Sequence, residues 1–546
     1  MAESDAPGAP LNRLSDQSIN SFSIERRSTA FIGLIAFATL TVAAFGLLLV
    51  SALLGQVDLT VFTDPTRWLR ELSPDAEAGI LSTTTELLAG ALAVAITVVA
   101  IVVELAATRY SHRITKHFIA EPINIAVMSL LLLTTVQSVW VAAALGNSPE
   151  NAILPNAGIA ITLALETLSL LILLPYFYFV FSFISPLSII QKLRVDAQRI
   201  FTRVKAGSAR RLQVTLLEAI DELQDIARSA ADQGDTRIAM AAVDALADLL
   251  IEYMKVSKDL PDEWFVIDES IAHDPDFVSL GPSALAEMRQ KRLWFEVKVM
   301  RQYFALVTQT VPDSRDIANL IAINTERVGI AASKASPALL ALVVRSFNTY
   351  LRTTIRAADP RTAYYVMNQY RSLAEELLDQ QAFSTVAEIV EHFRYYATFS
   401  HSLGESFLLE VAAHDIVTLI EAAVRNESPI VDSLLDQFLK LDQEIRSESQ
   451  EASLLGVRRA QIQLATYFLS RDDQARARRI VADLRSEKLE RLEGLRQALL
   501  TEDRPQYWEF TDRGVNFSYL APEYRPHLET LFAWLRDASM PPVENT

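Results

Sequence analysis

The sequence predicts an all-α protein: a four-span transmembrane helical bundle followed by a cytoplasmic α-helical domain, solenoid-like and TPR-like in part. Three observations lead there. Half of the 546 residues are hydrophobic and the mean hydropathy is +0.19, high for a chain of this length. The excess is concentrated in four apolar segments near the N-terminus, each long enough at about 20 residues to cross a bilayer core of roughly 30 Å. Beyond Leu212 nearly the whole chain carries apolar residues at three-four spacing with few glycines, the period of amphipathic helices.

The elements follow in order. Residues 1–28, rich in Ser, Asp, Pro and Ala, read as a disordered cytoplasmic tail. The transmembrane domain covers 29–188, with helices at about 31–54, 80–106, 123–145 and 158–184. The first follows a tail containing Glu3, Asp5, Asp16 and Glu25 and exceeds an h-region in length, so it reads as a retained span and not a signal peptide. The loop 55–79 is expected to hold a short interfacial helix around Trp68 and Leu69.

Loop charges set the orientation through the positive-inside rule. Arg13, Arg26 and Arg27 precede span one, and Arg109, Arg113 and Lys116 lie between spans two and three. Seven cations follow span four: Lys192, Arg194, Arg199, Arg203, Lys205, Arg210 and Arg211. The remaining loops hold only Arg67 and Arg70, set among Asp58, Asp64, Glu71, Asp75 and Glu77. Both termini are therefore expected in the cytoplasm.

Residues 189–211 read as a basic juxtamembrane helix. Its Lys192, Arg194, Arg199 and Arg203 suit an anionic leaflet at about 1 kcal/mol per cation. The plainer role for these charges is to fix topology.

The cytoplasmic helical array spans 212–504. Breaks fall at Asp232–Asp235, Lys258–Pro261, Gly281–Pro282, Val311–Asp313, Ser336–Pro337, Asp359–Pro360, Ser402–Gly404, Ser428–Pro429 and Arg471–Asp473, which suggests antiparallel helix pairs. One pair has the tetratricopeptide pattern, with Leu464, Ala465 and Phe468 facing Ala477, Val481 and Leu484. Residues 505–546 read as a loop and a last helix, Pro522–Leu535, with Tyr507, Trp508, Phe510, Phe517 and Tyr519 pinning the tail to the body.

Residues 1–211 hold 15 Lys/Arg and 15 Asp/Glu, so the other 35 and 52 put the entire net charge of −17 in the cytoplasmic part. That balance excludes nucleic acid as a partner. The chain has no cysteine, which removes disulfides, thiolate metal sites and thiol catalysis.

Across Leu81–Ala107, small and polar residues form one helical stripe: Thr83, Glu86, Gly90, Ala93, Thr97, Ala100, Glu104 and Ala107. Such a stripe either packs on another helix or faces a polar cavity. Three carboxylates fall inside spans, Glu86, Glu104 and Glu166, where a charge costs at least ~2.5–3.5 kcal/mol at the bilayer centre. Glu86 and Glu166 lie at similar depth and could share one polar level, and Glu104 could pair with Arg109 or Arg113. The alternative is that Glu86 and Glu166 hold helices together. Pro175 in span four is a hinge candidate or a static kink. Thr134, Thr135, Gln137 and Ser138 offer hydrogen bonds across helices. Two Glu-x-x-x-His elements, Glu388/His392 and Glu410/His414, each put carboxylate and imidazole on one face; exposed pairs of this kind are common and no metal is assigned. No phosphate loop, Gly-x-Gly-x-x-Gly, His-Glu-x-x-His or Gly-x-Ser-x-Gly occurs, so neither an enzyme nor a cofactor is expected.

The run Glu104–Arg113 closing span two resembles a bacterial family of predicted membrane proteins that carry a domain of unknown function. Members follow the second span with a Leu-Ala-Ser-like stretch, an aromatic residue and Ser-Pro-Arg; here His112 stands in place of the proline. A second likeness, Ala358–Ala363 within Arg352–Leu378, is to the family's Asn-Asp-Pro-x-Thr-Ala. Together they cover about a tenth of the chain. The resemblance implies four spans with a cytoplasmic domain and brings no activity with it.

The function expected is a bacterial inner-membrane, channel-like protein conducting ions or protons, homo-oligomeric, with the acidic domain serving assembly or gating. Thr83, Glu86, Gly90, Ala93, Thr97 and Glu104 would line the path. The alternative is a membrane-anchored scaffold whose helical array binds a cytoplasmic protein partner.

Overall fold

The computed structural model describes residues 74–109, 118–119, 121–145, 154–183, 185–204, 208–311, 313–441, 454–507 and 513–537. The expected tail 1–28, the span 31–54 and the helix around Trp68 lie outside them. Every regular element among the described residues is a helix.

The chain divides into two compact units, Met1–Ile189 and Ile190–Thr546. The first contains α1 (Pro74–Arg109), α2 (Pro122–Leu145) and α3 (Leu154–Phe183). Within them Ser82–Leu105, Pro122–Ala143 and Ile161–Phe181 are long and apolar enough to cross a membrane. Each of the three helices packs on the other two. Leu88, Val99, Val103, Val127, Leu131 and Val180 meet in their shared core. Much of the outward surface is apolar, with Leu105, Leu133, Trp140 and Ile161 exposed, as suits helices solvated by lipid.

The boundary between units falls inside α4 (Pro186–Arg203). The basic segment expected as one helix over 189–211 is divided: α4 ends at Arg203, and Arg210 and Arg211 open α5 (Ala209–Asp232). Gly207–Ser208, a helix-breaking pair, lies in the sequence between them.

From α5 onward the helices pair. α6 (Thr236–Val256) returns along α5. Short helices α7 (Glu269–Ala272), α8 (Pro275–Val278) and α9 (Pro282–Lys291) form an excursion before α10 (Trp294–Thr310). Then come α11 (Arg315–Ala335), α12 (Pro337–Arg356), α13 (Pro360–Asp379), α14 (Phe383–Ser402), α15 (Phe407–Arg425) and α16 (Val431–Leu439). The last are α17 (Leu455–Ser470), α18 (Gln474–Leu484), α19 (Leu489–Thr501) and α20 (His527–Arg536). Contacts arrange most of them in two rows. One row runs α6–α11–α13–α15–α17, the other α5–α10–α12–α14–α16, each helix touching the next in its row.

The breaks read from the sequence coincide with helix ends for local reasons. Asp235, Ser336, Asp359 and Asp473 cap their helices by accepting from the N–H of Ile238, Leu339, Thr362 and Arg476. Pro337 and Pro360 occupy first-turn positions, where the missing donor costs nothing. Gly234 and Gly404 take left-handed φ values of +73° and +94° just past helix ends. In the α17–α18 hairpin, Leu464, Ala465, Phe468, Ala477, Val481 and Leu484 are all buried. Gly329 of α11 has a different use: a Cβ there would meet Leu373 of α13 at 2.9 Å and Val343 of α12 at 3.0 Å, so its small size allows that three-helix approach.

The excursion is fastened by a buried ammonium. Lys298 of α10, 0% exposed, contacts Asp221 at 2.6 Å, Asp274 at 2.8 Å and Asp276 at 2.6 Å. Trp264 and Trp294, both buried, join the same region, with the Trp294 indole N–H donating to the Trp264 carbonyl at 2.8 Å.

Candidate functional site

α1 presents two faces. Leu88, Ala95, Val99, Val103 and Ala107 are buried against α2 and α3. Thr83, Glu86, Gly90, Ala93, Thr97, Ala100 and Glu104 are all exposed. The polar stripe is thus left open, apart from its last member Ala107, while the apolar face makes the contacts. Thr83 and Thr97 satisfy their hydroxyls inside the helix, donating to Gly79 O at 2.9 Å and Ala93 O at 2.8 Å. An ionised carboxylate has no donor for such a local bond, so Glu86 and Glu104 are the costly members. At the Glu104 end, Ile96, Ala100, Val103 and Glu104 form a groove of about 660 Å³ with Phe118 and Met128.

Glu166 has a different setting. It is 2% exposed, and one carboxylate oxygen accepts from the Ser138 hydroxyl of α2. Ser169 donates to Thr134 at 3.1 Å, and the Tyr176 hydroxyl donates to Asn124 at 2.6 Å. Asn124 in turn donates to Phe118 O at 3.4 Å. These three bonds form a polar seam along α2–α3, because 166, 169 and 176 share one face of α3 and 124, 134 and 138 one face of α2. Glu86 and Glu166 differ in setting: one is exposed on α1, the other buried against α2. Thr134 and Ser138 do bond across helices, whereas Thr135 bonds back to Leu131 O at 2.8 Å. Asn124 and Tyr176 escaped the sequence reading; an amide in the first turn of an apolar span was the available signal.

Pro175 lies inside α3. The residue after it, Tyr176, is held by Asn124, so the bond lost at the proline sits beside a fixed contact. Of the basic residues, Lys192, Arg199 and Arg203 are exposed. Arg194 instead turns to Asp248, at 2.7 Å, and Asp248 also pairs with Arg327 at 3.0 Å. The side chains of Arg109 and Arg113 lie outside the described ones. No group of metal-binding type occurs among the described residues. His392 bonds with Asn348 at 3.1 Å and Tyr370 at 3.2 Å, and Glu410 pairs with Arg459 at 2.8 Å.

The array also carries polar groups that the sequence did not single out. Burial lifts the Glu326 and Glu421 carboxyls to about 7, against the lowering pull of Ser372 and Arg371 on the first and Arg425 on the second. In the C-terminal segment, Arg513 reaches back to Asp415 of α15 and Tyr364 of α13.

Residues 26–217 match the model of a family described as "Predicted membrane protein (DUF2254)". The match extends well beyond the run Glu104–Arg113 and takes in α1 to α3. The second likeness, at Arg352–Leu378, lies outside it. Among solved structures, a "Circular tandem repeat protein with novel repeat topology and enhanced subunit contact surfaces" is similar at 12% identity and a TM-score of 0.32, covering 85% of this chain and 98% of that one. No curated protein matches.

Proposed function

We propose that this chain is a four-span bacterial inner-membrane protein with both termini in the cytoplasm, which assembles with copies of itself through the open face of α1 and conducts ions or protons along it. The observation that supports this is the exposure of Thr83, Glu86, Gly90, Ala93, Thr97 and Glu104, with the apolar face of the same helix buried. Two carboxylates facing lipid would be costly, so the face is stable against protein or water. Small residues let helices approach closely, and closed rotational symmetry gives every copy the same contact. Four spans rarely enclose a pore alone, so the path would lie on the shared axis. Glu166 drops out of the lining and serves as a helix–helix contact. The acidic array serves assembly or gating.

Flux of ions and protons through purified protein in liposomes tests this, comparing wild type with Glu86→Gln. A change in rate or selectivity supports the proposal. Absence of flux across pH and voltage refutes conduction. Because the chain has no cysteine, Ala93→Cys adds a single thiol, and its oxidation to a disulfide-linked dimer reports the α1 contact separately.

The second reading is a membrane-anchored scaffold. It is favoured by the two-row packing, since solenoid-like helical arrays offer extended binding surfaces. A scaffold keeps its function when the spans are exchanged for unrelated ones; a channel loses it.

A further inference from the structure

Residues 513–520 lie against one row of the array, and among the described residues named side chains hold them there. Asn516 closes their base: its backbone N–H donates to Pro505 O at 3.1 Å and its side-chain amide to Arg504 O at 3.1 Å. Within that closure, the Arg513 side chain is 5% exposed and ion-pairs with Asp415, whose side chain is 3% exposed. The Arg513 guanidinium also donates to Tyr364 O at 2.8 Å and stands 4.1 Å from the centre of the Tyr364 ring. Four residues on, Phe517 stacks on His414, with centroids 4.2 Å apart and planes 6° from parallel. Gln463 donates to the main-chain carbonyls of Phe517 at 3.1 Å and Tyr519 at 2.8 Å. Tyr364, His414 with Asp415, and Gln463 belong to α13, α15 and α17, three successive helices of one row.

Those helices pack on one another directly. Asp415 also keeps a second cation, Arg371 at 3.3 Å, so the slot does not hold an uncompensated carboxylate when Arg513 leaves. Guanidinium against carboxylate and ring face is a selective contact. The Gln463 amide reads main-chain carbonyls on a turn closed by the Tyr519 N–H donating to Asn516 O at 3.0 Å, a contact that does not depend on side-chain identity. Together they have the form of a receptor with its ligand in place.

We propose that the α13–α15–α17 face recognises a peptide of a protein partner, carrying an arginine and, four residues later, an aromatic ring in a turn, and that Arg513–Tyr519 occupies this face in cis. Peptide recognition on this face does not depend on conduction by the membrane unit. A tethered occupant acts at an effective concentration on the order of millimolar, so a free peptide of micromolar affinity stays excluded until the segment lifts.

The test uses the full chain in detergent, wild type and Arg513→Ala/Phe517→Ala, with a labelled peptide of residues 513–520 followed by fluorescence anisotropy. Saturable binding to the variant, at least about tenfold tighter than to wild type, is expected, with an Arg513→Ala peptide binding neither. A second readout is the His414 imidazole. Burial and the nearby Arg459 and Arg513 push it down to about 3. It should rise toward the ordinary value near ~6.5 in the variant and fall again when peptide is added, by NMR titration. Peptide binding to both proteins equally, or to neither, overturns the proposal. So does loss of cooperative unfolding in both the double variant and Phe517→Ala alone, because the segment would then be part of the core.

Discussion

Replacing Lys298 by methionine removes the cation at the centre of the α7–α10 excursion and leaves its three carboxylates facing one another. Breaking a buried ion pair from one side costs about 3–5 kcal/mol. The three acids are 28%, 7% and 20% exposed, in the order Asp221, Asp274 and Asp276. Two of them can recover water, so only Asp274 is stranded and the low end applies, about 3 kcal/mol, or roughly a hundredfold in the local folding equilibrium. Urea unfolding followed by tryptophan emission includes a signal from this region, because the Trp264 and Trp294 rings lie 5.2 Å apart beside the excursion. Hydrogen exchange over 269–278 should accelerate in parallel.

The pH dependence adds a sign. Burial alone would lower the Lys298 ammonium, but hydrogen bonds and charge from Asp221 and hydrogen bonds from Asp274 and Asp276 outweigh it, so the net shift is upward. The folded state then holds the proton more tightly than the unfolded one. The stabilisation is complete below the ordinary lysine value of ~10.4 and is lost as pH climbs through the raised one. The gap between wild type and Lys298→Met should therefore stay constant from pH 6 to 9 and close only in strong alkali. A difference under about 1 kcal/mol at neutral pH, or exchange unchanged over 269–278, would refute the assignment of Lys298 as the fastener.

Two further substitutions probe the rows. Gly329→Ala forces a methyl against Leu373 and Val343 and should cost about 1–3 kcal/mol, measured as a lower denaturation midpoint at unchanged slope. Glu326 holds a proton to about pH 7 in the folded state, which the unfolded chain releases near ~4.3, so stability should decline across that interval; Glu326→Gln should flatten the decline in unfolding curves taken from pH 5 to 8.

Local chemistry made the helix boundaries legible. An Asp-Pro or Ser-Pro dipeptide states both the cap and the first turn, and Asp359–Pro360 and Ser336–Pro337 do just that in the structure. Hydropathy located the three described spans, and the tetratricopeptide pattern located the α17–α18 hairpin. What could not be read was which face of α1 turns inward, since either a small-residue stripe or a branched apolar one packs well. Contacts between distant positions were equally hidden. Lys298 and Asp274 are 24 residues apart and Arg513 and Asp415 are 98 apart, with no periodicity to couple them. Glu166 was visible as a carboxylate in a span, but its partner Ser138 was known only as one of four hydroxyl and amide groups on α2. Sequence gave the burial problem; the packing direction decided how it was solved.

The row arrangement has a consequence for synthesis. Each helix finds its neighbours among those just before it, so the pairs from α5 to α17 can dock progressively as they emerge from the ribosome. The segment at Arg513 cannot join early, because its partners Asp415 and Tyr364 were made 98 and 149 residues before it. Its docking marks the moment the array is complete, and a nascent chain stalled before residue 513 would display the same surface open.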